Sequence, residues 1–271
     1  MKIRDLKLES VDLINDINYT DKYANLYAES EEKVFPFEYK EGDFIFKNMA
    51  IKRPITKIGN QICHEGYYDL ETPYGYGGFY SNNKDMDFNI RALDKYKEHC
   101  KNQNIIAEFI RFHPFNTYPD KFKNFLDMCN YDRDVVVLDL SLSNEDRWKQ
   151  YSKTTRNILR RCNRQLIFNK TYDIKTFTEL YYETMSKNKA DKFYFFEKNY
   201  FLNLLNLDGV YLYEANYEGN AIAMSFFVYT KTIAYYYLSA NKESHVKLNA
   251  NYFILDNAFK EAKNRKIKFL L

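Results

Sequence analysis

Cysteine, glycine, proline and tryptophan are all sparse in this chain of 271 residues, and what is missing narrows the field. The four cysteines (Cys63, Cys100, Cys129, Cys162) lie far apart, with no C-x-x-C pair. That spacing excludes a cysteine-ligated metal and a disulfide framework. Scattered free thiols suit a reducing compartment. The four histidines, equally dispersed, form no metal site. No uncharged apolar run approaches the roughly 18 residues of a membrane-spanning helix. The first residues, "MKIRDLKLESVDLIND", have no apolar core of signal-peptide kind. A soluble, cytoplasmic protein is the expectation. With a net charge of +3, the chain is no dedicated nucleic-acid binder. Low-complexity linkers and short repeats are absent.

Aromatic residues are abundant instead: Tyr 26 and Phe 22 against Trp 1. An AT-rich coding sequence is the plain cause, and a ligand role is the other. The length favours two domains, or two halves of one module, over a single core. Gly42–Ile55 alternates and is rich in β-branched and aromatic residues, which predicts strand or hairpin. Asp87–Lys101 carries apolar residues at helical spacing. Ile105–Phe112 reads as a strand, "YPDKFKNFLDMC" as a short helix and Asp134–Ser141 as a buried strand. Ser143 or Asn144 caps a new helix, so the boundary is placed at 142/143, giving domains 1–142 and 143–271. "SKTTRNILRRCNR", Lys175–Lys187 and Phe195–Leu205 are helical stretches. "GVYLYEANY", "AIAMSFFVYT" and "IAYYYLSA" form a β-meander, followed by the helix "ANYFILDNAFKEAKNR" and the strand "KIKFLL". The order gives an α/β (α+β) fold, neither a bundle nor a sandwich.

Three of the eight glycines fall in "TPYGYGGFYSN". Gly75, Gly77 and Gly78 permit positive φ and close approach, while Tyr74 and Tyr76 offer flat faces and hydroxyls. The stretch is either a ligand-facing loop or a tight packing turn. Between Arg147 and Lys170 there are eight basic residues and no acidic one. On a continuous helix Lys149, Lys153, Arg156, Arg160 and Arg164 share one arc, with Thr155, Ile158, Leu159, Cys162 and Leu166 opposite. That arc is either a solvated face or a phosphate-binding stripe. "IKRPI" adds Lys52 and Arg53 as further phosphate partners. His113, in "RFHPF", is either structural or a general base for an amine. His64, His99 and His245 are weaker candidates.

Taken in order, "YDLETPYGYGG", "EFIRFHPF", "VVVLDL", "SKTTRNILRRCNR" and "YYYLSAN" resemble the Fem family, aminoacyltransferases of peptidoglycan bridge formation and their acyltransferase relatives. The resemblance covers about Lys52 to Leu271. It implies two tandem GNAT-like (acyl-CoA N-acyltransferase) domains, each a mixed, mainly antiparallel sheet flanked by helices. It also implies transfer of an acyl or aminoacyl group to an amine on a cell-wall or surface-polysaccharide precursor. His113 would be catalytic. Tyr74, Gly75, Tyr76, Gly77, Gly78, Arg111, Lys153, Arg156 and Arg160 would bind substrate, and Tyr237, Ser239 and Asn249 the donor. No tightly bound cofactor or metal is implied; the donor would be aminoacyl-tRNA or acyl-CoA. The partners would be a nucleotide- or lipid-linked phosphate-bearing precursor and tRNA, met in the cytoplasm or at the inner membrane face. Relatives continue past the last strand, so the final strands are expected to be missing here. The chain lacks the Q-x-x-G-x-G pattern of CoA-binding GNAT proteins and any inserted paired-helix arm. An acetyl-CoA-dependent amino-sugar N-acetyltransferase and a non-catalytic glycan-binding module therefore stand as alternatives.

Overall fold

The structure, a computed structural model, describes residues 11–271; residues 1–10, the start of the stretch read for a signal peptide, lie outside the described residues. The chain forms two compact units that divide between Val135 and Val136. The boundary expected at 142/143 thus falls too late, because residues of 136–142 are built into the second sheet.

In the first unit a short helix, α1 (Asp21–Ala24), precedes the hairpin β1 (Lys33–Glu41) and β2 (Phe44–Pro54), paired antiparallel from Lys33↔Lys52 to Glu41↔Phe44. A small separate hairpin follows, β3 (Lys57–Ile58) and β4 (Gln61–Ile62). Next come β5 (Tyr68–Glu71), β6 (Tyr80–Ser81), α2 (Met86–Asn102), β7 (Ile105–Phe109) and α3 (Tyr118–Phe122). The sheet order is β1-β2-β5-β7, with β6 on β2; β5 and β7 run parallel. Asp85 caps α2 by accepting from the Phe88 N–H. The helix buries Phe88, Ala92, Leu93 and Tyr96 over Phe46, Leu70 and Phe79.

The second unit contains β8 (Leu138–Asp139), α4 (Asn144–Gln150), α5 (Lys153–Gln165), β9 (Ile167–Thr171), α6 (Ile174–Lys187) and α7 (Lys198–Leu205). The meander β10 (Val210–Tyr217), β11 (Asn220–Tyr229) and β12 (Ile233–Asn241) follows, then α8 (Ala250–Asn264) and β13 (Phe269–Leu270). Sheet order is β8-β13-β12-β11-β10-β9, with β12 and β13 parallel and the other pairs antiparallel. β11 is buried along nearly its whole length because both faces are covered. Phe253, Ile254 and Ala258 of α8 pack with Ala223 and Phe227 on one side. On the other, Phe177 of α6 meets Phe226 edge-on at 4.7 Å.

Three sequence expectations change. The strand expected over Asp134–Ser141 shrinks to Leu138–Asp139, and Val136 is 89% exposed rather than buried. The helix expected from "YPDKFKNFLDMC" stops at Phe122 and tightens into a 3-10 turn. The helix expected through Arg164 is two helices: Tyr151 is extended, and the Ser152 side chain caps α5 by accepting from the Thr155 N–H.

That break is held by an ion pair in the core of the second unit. Arg147 and Asp256 are both buried, with Arg147 Nη2 donating to Asp256 Oδ1 at 3.3 Å. The Tyr151 hydroxyl donates to the same oxygen (3.1 Å), and Lys260 Nζ lies 2.9 Å from Oδ2. Replacing Asp256 with Ala strands a buried guanidinium and is expected to cost about 3–5 kcal/mol in urea denaturation. The Arg147→Met, Asp256→Leu double variant should recover most of that. A loss below about 1 kcal/mol for Asp256→Ala would mean the pair does not anchor α4 to α8.

Candidate active site

The glycine-rich stretch of the first unit is an excursion from a strand. Thr72 N–H donates to the Phe109 carbonyl (3.1 Å), and pairing to the same chain resumes where Gly77 N–H donates to the Arg111 carbonyl (2.9 Å). Residues 73–76 loop out while the partner advances only from Phe109 to Arg111. The Tyr23 hydroxyl donates to the Tyr74 carbonyl (2.7 Å), and the Tyr74 ring stacks on Tyr27 at 5.8 Å. The Tyr19 hydroxyl donates to the Gly77 carbonyl at 3.2 Å.

Packing explains the glycines. A Cβ on Gly78, at φ +79°, would meet Ile110 Cγ2 and Phe112 Cδ1 at 2.6 Å; one on Gly77 would meet Thr72 Cγ2 at 2.8 Å. Gly75, at φ +103°, leaves only 3.3 Å between such a Cβ and the Tyr23 hydroxyl. The loop leaves Tyr74 and Tyr76 half-buried, with Arg111 exposed just past the end of β7. Burial raises the Tyr76 hydroxyl above its ordinary pKa.

His113 is the main correction. It is 1% exposed, its ring meets Tyr76 edge-on at 5.3 Å, and its Nδ1 accepts from the Phe115 N–H at 3.0 Å. Burial pushes its pKa down to about 3. A neutral, enclosed ring whose Nδ1 shapes a turn is a structural histidine, not a base open to an incoming amine. Arg53 is a second correction: its guanidinium is bidentate on Asp69 (2.9 and 3.0 Å) and also pairs with Glu71, so it has no charge to spare for phosphate. Lys52 lies 3.9 Å over the Tyr68 ring.

A polar cluster went unread in the sequence. Asn48 Nδ2 donates to Glu108 Oε1 (2.7 Å), and the Tyr96 hydroxyl to Glu108 Oε2 (2.9 Å). Burial raises the Glu108 carboxyl. Its signal was available, since Glu108 is the one acid within "IIAEFIRF" and shares a side of the strand with Ile110.

In the second unit the clearest irregularity is in β12. Phe226 of β11 faces Leu238 but Phe227 faces Tyr236, so a β-bulge lies at Tyr237. Bulges interrupt the ladder and re-aim backbone and side chain, and they recur beside active sites. Tyr237 Oη lies 3.3 Å from Tyr200 Oη of α7. Two residues on, Ser239 Oγ accepts from Ser225 Oγ at 3.1 Å. β12 then leads to α8, whose N-cap Asn249 adopts φ +56° and makes no side-chain cap. Instead its Nδ2 donates back to the Lys247 carbonyl (2.8 Å), and the first turn of α8 holds no acid. Such an end attracts anions.

α5 is tied to this entry. Arg161 Nη2 donates to the Lys247 carbonyl (3.1 Å) and Cys162 Sγ to the Leu248 carbonyl (3.3 Å). The structure thus joins the α8 entry to the basic helix through Arg161, not through Lys153, Arg156 or Arg160. Lys153 and Arg160 are exposed, with Arg160 5.8 Å over the Trp148 ring; Arg156 is half-buried and donates to the Lys149 carbonyl. The single arc from Lys149 to Arg164 is broken at Ser152.

No protein-family model and no curated protein matches the sequence. Solved structures do. FemX matches the whole of this chain and 86% of its own at TM-score 0.72 and 10% identity. The chain has the FemX fold. A Bacteroides thetaiotaomicron protein of unknown function matches all of this chain and 87% of its own at TM-score 0.54 and 12% identity. The C-terminal domain of an Agrobacterium fabrum protein named as a lysylphosphatidylglycerol synthetase matches 99% of this chain and 76% of its own, at TM-score 0.53 and 13% identity. The α/β architecture expected from the motifs, mixed and mainly antiparallel sheets flanked by helices, is the one observed.

Two outcomes check this geometry. Gly78→Ala should lower unfolding free energy by about 3 kcal/mol, against about 1 kcal/mol for Gly59→Ala, where φ is +58° but nothing lies within 4 Å. For His113, the unfolded ring titrates near 6.5 and the folded one at about 3, so only the unfolded chain gains a proton between those values. Stability is present above that window and is lost as pH falls through it, by about 2 kcal/mol between pH 7 and 5. His113→Asn, which can still accept from the Phe115 N–H, should abolish that share of the loss in denaturant titrations at the two pH values.

Proposed function

We propose that the chain is an acyltransferase. It would move an acyl or aminoacyl group from aminoacyl-tRNA or acyl-CoA to an amine on a cell-wall or surface-polysaccharide precursor. The observation that carries this reading is the β12 bulge at Tyr237, followed on the same strand by the uncapped start of α8. The fold likeness to FemX, and to the domain from a protein named as a lysylphosphatidylglycerol synthetase, supports it.

The chemistry asks little of the protein beyond placement. The amine lone pair attacks the acyl carbon and an N–C bond forms. The C–O bond to the tRNA ribose, or the C–S bond to CoA, breaks, and the proton lost by the amine ends on the departing oxygen or sulfur. Catalysis then consists of holding the partners together and stabilising negative charge on the carbonyl oxygen. Tyr237 with Tyr200 on the α7 side of β12, and Ser239 with Ser225 on its α8 side, supply neutral hydroxyl donors next to the bulge. The α8 entry with Arg161, and beyond it Lys153 and Arg160 on α5, would take the donor's phosphates. In the first unit, taken by itself, Tyr74, Tyr76 and Arg111 would bind substrate. No helix among the described residues is long and apolar enough to cross a membrane, so contact with a lipid-linked acceptor would be peripheral.

The deciding assay incubates the full chain with charged tRNA and, separately, with acetyl-CoA, in the presence of a nucleotide-linked muropeptide or an amino sugar, with products read by mass spectrometry. Tyr237→Phe with Ser239→Ala should lower kcat by about 100-fold. Lys153→Glu with Arg160→Glu should raise KM for the donor about tenfold and leave Tm unchanged. Absence of product with every pairing, from a folded protein, would sink the transferase reading and leave a binding module.

A further inference from the structure

Strand β9 lies at the edge of the second sheet, and its end carries a cluster that the transfer reaction does not use. Tyr211 of β10 has two cations against one ring: Lys170 Nζ at 4.4 Å and the Arg265 guanidinium carbon at 4.2 Å. Arg265 also donates to the Tyr211 hydroxyl (2.9 Å) and lies 5.0 Å over Tyr229. Lys170 is 5.0 Å over the ring of Tyr172, which is 69% exposed.

Two of the acids nearby, Asp173 and Glu214, are turned elsewhere. Asp173 caps α6 by accepting from the Thr176 N–H and hydroxyl. Glu214 pairs across the sheet with Asn169 and accepts from it at 3.3 Å; Lys170 pairs with Tyr213, so its side chain lies on the opposite face. The Glu261 carbonyl accepts from the Arg265 backbone N–H (3.2 Å) and the charge of its side chain is felt at Tyr213 and Tyr229, but it makes no ion pair with the Arg265 guanidinium. Among the described residues neither Lys170 nor Arg265 makes an ion pair. Two cations held against one ring repel each other, and an anion lying between them relieves that cost. Arg265 at the C-terminus of α8 is favoured by the helix dipole and Lys170 by the rings of Tyr211 and Tyr172, but neither charge is neutralised by an ion pair.

We propose that Lys170, Tyr172, Tyr211 and Arg265 form a nucleotide-binding corner: the two cations take a phosphate, and the exposed Tyr172 ring carries the base. Phosphate beside an exposed aromatic ring is the pairing that single nucleotides and single-stranded RNA both satisfy. This site is separate from the α8 entry, which lies at the other end of that helix, and it holds whether or not the chain transfers acyl groups.

The test uses the full chain with AMP and inorganic phosphate in calorimetry, and a short fluorescein-labelled single-stranded RNA in anisotropy. Lys170→Glu should weaken AMP and phosphate alike by about tenfold. Tyr172→Ala should weaken AMP by about fivefold or more and leave phosphate unchanged, because only the stacking is removed. Both side chains stand at the sheet edge, and Tm should hold in both variants. RNA that binds more tightly than AMP, and is lost in the same variants, identifies a strand as the source; equal binding identifies a free nucleotide. No saturable AMP binding at millimolar concentration, or an affinity that neither substitution changes, overturns the proposal.

Discussion

A strand that must lie parallel to its neighbour cannot be reached by a tight turn. Each unit meets that constraint with one long amphipathic helix, α2 over the first sheet and α8 over the second. The parallel pairs these helices create, β5 with β7 and β12 with β13, are short. In both units the main backbone irregularity sits on the strand that comes before the crossover. In the first unit it is the excursion from Thr72 to Gly77, and in the second the bulge at Tyr237. The sheets tolerate both because pairing resumes on the far side, Gly77 with Arg111 and Leu238 with Phe226. The irregular segment can therefore take side chains such as Tyr76 and Tyr237 out of the regular pleat without unzipping the sheet.

Charge follows a second logic. Where cations are buried they are neutralised: Arg147 by Asp256, and the half-buried Arg53 by Asp69 and Glu71. Where they are exposed on the second unit they cluster without acids, along α5 and again at Lys170 and Arg265. Buried pairs make a uniquely placed helix end, since a stranded charge in the core costs several kcal/mol. Exposed unpaired clusters do nothing for stability and raise the local affinity for anions. The sequence run from Arg147 to Lys170 mixes the two kinds, and treating it as one stripe concealed the difference.

Much of the fold was legible because the residues that decide it are periodic. The meander from Val210 to Asn241 and the helix from Ala250 follow their patterns closely. The break at Ser152 was harder to read, because no proline or glycine marks it. It depends on Ser152 capping α5 and on Arg147 finding Asp256 over a hundred residues away, which no local pattern records. The strand expected at Asp134–Ser141 failed for a related reason. "VVVLD" has the composition of a buried strand, but only Leu138 and Asp139 find a partner, on β13. At the candidate site, Tyr237, Ser239 and Asn249 were reachable by resemblance, whereas Tyr200 and Arg161 were not, because they arrive on other helices. His113 was misread because a histidine before proline looks the same in sequence whether its ring faces solvent or the core.

The enclosure of His113 bears on the proposed transfer chemistry. Glu108, a half-buried acid of the first unit, is tied to Asn48 and Tyr96. Neither is arranged to cycle a proton with a substrate. An amine poised against an activated ester or thioester does not need such a group throughout, since the leaving oxygen or sulfur can receive the proton that the amine gives up. What it does need is a carbonyl held in a fixed field, and neutral donors on a rigid sheet supply that without reorganising. The hydroxyls of Tyr237, Tyr200, Ser239 and Ser225 are neutral, paired with one another and mounted on or against a strand packed on both faces. A site of this kind would gain its rate from geometry set during folding rather than from a side chain with a tuned pKa. Under the proposed transfer, the bulge in β12 is the feature on which the chemistry would depend most.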